Sequence, residues 1–74
     1  MPLRFRPEVL ERVRIEAGFS RDRLAAKSGV SRVSIWNAER RVSETPRPET
    51  IKALADALGI STSELYEVDA EDVA

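Results

Sequence analysis

The apolar residues of this 74-residue chain recur at helical intervals, in runs opened by proline or serine and mostly closed by glycine. Pro7 suits a first helical position, and Leu10, Val13, Arg14 and Ala17 follow at i, i+3, i+4 and i+7 until Gly18 stops the run. Ser20 stands as an N-cap ahead of residues 21–28, where Leu24 and Ala25 face inward and Gly29 provides a left-handed exit. Ser31 is the next N-cap, and residues 32–40 follow with Ile35, Ala38 and Glu39 on one face. Residues 41–47 have no apolar period and contain Pro46, so they read as an ordered loop. Pro48 opens a fourth helix whose stripe of Ile51, Leu54, Ala55 and Leu58 ends at Gly59. Ser61 and Glu64 then form a capping box for a fifth short helix carrying Leu65 and Tyr66. No strand-like alternation and no internal repeat is visible. The expectation is an all-α fold of five short helices, with an N-terminal arm at 1–6, one domain at 7–66 and an acidic, frayed tail at 67–74.

A chain of this size supports one core of marginal stability. It has no cysteine and no histidine, which excludes disulfides, Cys/His metal sites and catalysis by a nucleophile–histidine pair. No enzyme, no metal and no cofactor is expected. No apolar run approaches the roughly 20 residues needed to span a bilayer, and residues 1–6 lack the apolar block of a signal peptide, so a cytoplasmic protein is expected.

The formal charge of −1 hides a division by position. Residues 1–48 hold 11 Lys/Arg against 6 Asp/Glu, a net of +5, whereas residues 49–74 hold Lys52 against 7 acids, a net of −6. The chain therefore has a basic head, suited to a polyanion, and an acidic tail.

The string FSRDRLAAKSGVSRVSIWNAER, residues 19–40, resembles the Cro and phage-repressor type of helix-turn-helix, the XRE-like family. The resemblance runs from Leu10 to about Tyr66 without insertion or deletion. It rests on Phe19 and Ser20, the Leu24–Ala25 pair, Gly29-Val30-Ser31, Ile35 and Glu39, Pro46, and Leu54 to Gly59. It implies a lambda-repressor-like DNA-binding domain whose second and third helices form the motif, and a transcriptional regulator, a repressor in preference to an activator.

Small Ala25 suits a close crossing of the second and third helices, with Val30 and Ile35 filling the space between them. Arg14 and Glu39 match the family's internal ion pair, which makes Arg14 structural. Removing the inward residues of the third helix leaves Arg32, Val33, Trp36, Asn37 and Arg40 outside, and its first residues are those that meet base edges in a major groove. Arg32 can pair with guanine, Asn37 with adenine, and Val33 can pack on a thymine methyl. Trp36 either covers the DNA or a partner, or folds over the second helix.

Phosphate contacts are expected from Ser20, Arg21, Ser31, Arg40, Arg41 and Thr45, which surround the motif. Arg21 replaces the family's common Gln and Arg41 its usual Gly, which puts the backbone at 41 in doubt. Arg47 matches a position that can enter a minor groove. The resemblance further implies a homodimer on a palindromic operator with half-sites roughly 34 Å apart. Ile60, Leu65, Tyr66 and Val68 are either its contacts or the closure of the monomer's own core. The alternative function is an antitoxin or anti-repressor component whose acidic tail binds a protein partner.

Overall fold

A computed structural model of the chain describes residues 3–40 and 46–68. It contains α1 (Pro7–Glu16), α2 (Arg21–Ser28), α3 (Arg32–Arg40) and α4 (Pro48–Leu58), followed by a 3-10 turn at Thr62–Leu65. Two short strands, β1 (Leu3–Phe5) and β2 (Tyr66–Val68), pair antiparallel at the ends.

The helix boundaries follow from local chemistry. Pro7 and Pro48 occupy first-turn positions, where their missing N–H groups cost nothing. Ser20 Oγ accepts from the Arg23 N–H at 3.1 Å, and Ser31 Oγ from the Ser34 N–H at 3.0 Å, so each hydroxyl satisfies a donor at its helix start. Gly29 closes α2 with φ of 78°, a left-handed geometry costly for any residue with a Cβ, and returns its N–H to the Ala25 carbonyl at 2.9 Å. One further residue, Val30, separates it from the cap of α3. The turn is therefore tight enough to fix the crossing of the two helices.

Two sequence expectations are corrected here. The fifth helix is a 3-10 turn, although its capping box is in place: Ser61 N–H donates to Glu64 Oε2 at 3.1 Å and Ser61 Oγ accepts from the Ser63 N–H at 3.2 Å. It cannot lengthen because Tyr66 is already extended and enters β2. The strands were not foreseen at all. Leu3 opposes Val68, Arg4 opposes Glu67 and Phe5 opposes Tyr66, so the segments assigned to an arm and to the start of a tail are paired. Arg4 and Arg6 both reach Glu67, at 3.3 and 3.1 Å, and the Arg6 N–H donates to the Leu65 carbonyl at 2.8 Å. Residues 69–74 of the expected tail lie outside the described residues.

The core is one cluster in which Leu10, Leu24, Ile35, Ile51, Leu54 and Leu65 are fully buried, joined by Phe5, Val9, Ala38, Ala55 and Ala57. Val13, Phe19, Ala25 and Val30 pack against it as partly buried neighbours. Every helix contributes to this single core. Moving α3 therefore requires repacking it, which makes α3 a rigid platform.

Candidate nucleic-acid interface

The site begins with what holds α3. Ile35, Ala38 and Glu39 face inward, and two of the three are apolar. Glu39 is the exception, with a carboxylate wholly excluded from solvent and two guanidinium groups upon it. Arg14 of α1 donates through Nε to Oε2 at 2.6 Å and through Nη2 to Oε1 at 3.3 Å. Its Nη1 donates to the Phe19 carbonyl at 2.7 Å, which ties in the residue just before the N-cap of α2. Arg21, the first residue of α2, adds Nε to Glu39 Oε1 at 2.9 Å and Nη2 to Glu11 Oε2 at 3.4 Å. The four side chains are charge-balanced and link α1, α2 and α3. Among the described residues, no buried side-chain polar atom lacks a partner.

This arrangement places Arg21 differently from the sequence reading. Two edges of its fork are engaged by Glu39 and Glu11 and its side chain is three-quarters covered, so only the remaining Nη1 edge is left for the phosphate contact expected of it. Single-helix patterning could not find this, because the partners lie on other elements. A first-turn arginine reads as exposed unless an acid is known to sit across from it.

The opposite face of α3 is open. Val33 is 68% exposed and Trp36 43% exposed, and Arg32 and Arg40 are also exposed, while Asn37 is half-buried. Trp36 therefore stands on the outer face with Val33, a pair of large apolar groups that the core does not use. Arg32 lies beside Asp22 of α2, with Nε to Oδ1 at 3.2 Å. Ser20 and Ser31, which precede α2 and α3, are exposed, and both serve as caps through Oγ. Arg47 is the exposed N-cap residue of α4 and makes no side-chain capping bond. Arg41 and Thr45 lie outside the described residues.

The suggested dimer contacts divide. Leu65 is fully buried in the core of its own chain and has no surface to offer a partner, a correction that follows from the 3-10 turn pointing it inward. Ile60 and Tyr66 are partly buried against the same core, and the backbone of Val68 pairs with Leu3. Among the described residues, no helix is long and apolar enough to cross a membrane.

A helix-turn-helix family model matches residues 10–65, most of the chain, with the α2–turn–α3 unit inside it. The chain belongs to the XRE-type helix-turn-helix family. This helix-turn-helix protein is similar to the restriction-modification controller protein C.AhdI from Aeromonas hydrophila. The identity is 32% over 80% of this chain and 88% of that one, with a TM-score of 0.75. It is also similar to the biofilm master regulator SinR, solved in complex with DNA, at 25% identity over 80% of this chain and 94% of that one, TM-score 0.76. The N-terminal DNA-binding domain of SinR from Bacillus subtilis, at 24% identity over 90% and 97%, shares the fold with a TM-score of 0.75. No curated protein matches the chain.

Proposed function

We propose that this helix-turn-helix protein binds a specific double-stranded DNA sequence through α3 and thereby regulates transcription, as a repressor. The observation that carries the reading is the division of α3 into a locked inner face and an open outer one. Ile35, Ala38 and Glu39 fix the helix, while the exposed Arg32, Val33 and Trp36, with the half-buried Asn37 at their edge, are left to meet bases. The similarity to C.AhdI and to SinR bound to DNA supports it. Ser20, Ser31, Arg40, Arg41, Thr45 and Arg47 supply the phosphate and minor-groove contacts, and Arg21 contributes only the edge of its fork that Glu39 and Glu11 leave free. The protein acts as a homodimer on a palindromic operator, with Ile60, Tyr66 and Val68 at or near the contact.

Selection from random duplexes followed by titration of the recovered site at several salt concentrations tests this. The logarithm of Kd should rise with that of salt by roughly 0.9 per phosphate neutralised, and the selected site should be preferred over a scrambled duplex. Absent or sequence-independent binding would overturn the reading, and capture of a protein partner in its place would favour the antitoxin-like role.

Arg32→Ala should reduce that preference by about 5- to 150-fold, the worth of one good bidentate contact, with little effect on the scrambled duplex. Comparing the two affinities in one titration series checks it. An equal loss on both duplexes would make Arg32 a phosphate contact.

A further inference from the structure

Two neighbouring residues at the start of α2 reach to α3 with opposite charges. Arg21 meets Glu39 in the interior, and Asp22 meets Arg32 at the surface. The first is a packing device. The second is not, because both partners are about 70% exposed, and such a pair is worth little to stability. An acid beside the face that should approach a polyanion also opposes binding. Asp22 also stands in the first turn of α2, where an acid complements the helix dipole, but that role does not require it to lie beside Arg32.

We propose that Asp22 is a specificity-determining residue, a positioning acid that lets Arg32 read a guanine while discouraging it from seizing a phosphate. The inference rests on the DNA-binding reading above. The guanidinium carries five N–H donors in a planar fork, and Asp22 sits at the Nε side of Arg32, 3.2 Å away. The two Nη groups remain free to donate end-on to guanine O6 and N7, so the specific contact forms without separating the pair. Each nonspecific contact differs. Swinging Arg32 out to a phosphate breaks the pair and leaves Asp22 facing another anion. The acid thus penalises the wrong complex more than the right one, which is how a repulsive element sharpens discrimination.

The test uses the full chain, the selected duplex and a scrambled duplex of equal composition. Asp22→Asn, which keeps the shape and removes the charge, should tighten binding to scrambled DNA about three- to tenfold and steepen its salt slope by up to roughly 0.9. Affinity for the selected duplex should change less than twofold, so the preference falls. In an Arg32→Ala background, Asp22→Asn should tighten both duplexes equally, leaving the preference unchanged, which a purely structural role for Asp22 would not produce. An unchanged preference in the single variant, or an equal loss of preference in both backgrounds, overturns the proposal. If the unaltered protein binds no duplex, the DNA-binding reading itself fails, a result distinct from either.

Discussion

Glu39→Ala is expected to lower the unfolding free energy by about 3–5 kcal/mol, the cost of leaving a buried charge without its partner. The magnitude follows from burial. Glu39 has no side-chain exposure, and Arg14 retains only 9%, so water cannot reach and rehydrate the unpaired guanidinium at little cost. Against a total of roughly 4–11 kcal/mol for a domain of this length, the loss removes at least about a quarter of the stability, and all of it at the low end of that range. Urea denaturation followed by circular dichroism checks it.

The double variant Arg14→Met, Glu39→Met separates two meanings of that loss. If the pair were itself strongly stabilising, removing both charges would cost about as much as removing one. Replacement of buried ion pairs by packed apolar groups is often neutral or favourable, so the double variant should recover most of the stability, with Arg21 turning toward Glu11 and solvent. Its DNA preference is then the informative quantity. Glu39 holds guanidinium groups from both α1 and α2, so an apolar substitute is expected to restore cohesion without holding the angle of α3. A double variant that is stable but less discriminating would mark the network as an orientation device. A loss under about 1 kcal/mol for Glu39→Ala would instead make the pair behave as a surface one.

How far such features can be read from the sequence depends on the range of the interactions. The caps at Ser20, Ser31 and Ser61 and the turn at Gly29 are local, set by residues within three or four positions, and the sequence exposes them. The inward face of α3 is equally legible because helical periodicity is local. Arg14 and Glu39 are 25 residues apart, and only the family resemblance suggested the pair. Arg21 departs from the family's common residue, so the resemblance could not show where its fork would point. The strands fail for a different reason. Leu-Arg-Phe and Tyr-Glu-Val do alternate, but each is three residues long, shorter than the four to eight needed for alternation to signify a strand. Only the pair of segments is informative, since Arg4 then falls opposite Glu67.

Phe5→Ala should cost about 3–5 kcal/mol, the usual range for deleting a buried aromatic ring. Its effect decides whether the paired ends belong to the domain or merely lie on it. Phe5 is 6% exposed, opposes Tyr66 across the strands and shares the core cluster with Val9, Leu10 and Leu65. Residue 5 thus does for the N-terminal end what Leu65 does for the other. Arg4→Ala on the same strand is the matched control, because it removes only an exposed pair with Glu67 and should cost under about 1 kcal/mol. Both variants unfolded in urea should keep similar slopes while Phe5→Ala shifts to a much lower midpoint. If the two behaved alike, β1 would be an appended arm and the core would end at α1. A large difference would mean that the chain closes its core with residues from both ends. That closure keeps Leu65 in the core of its own chain, unavailable to a second copy.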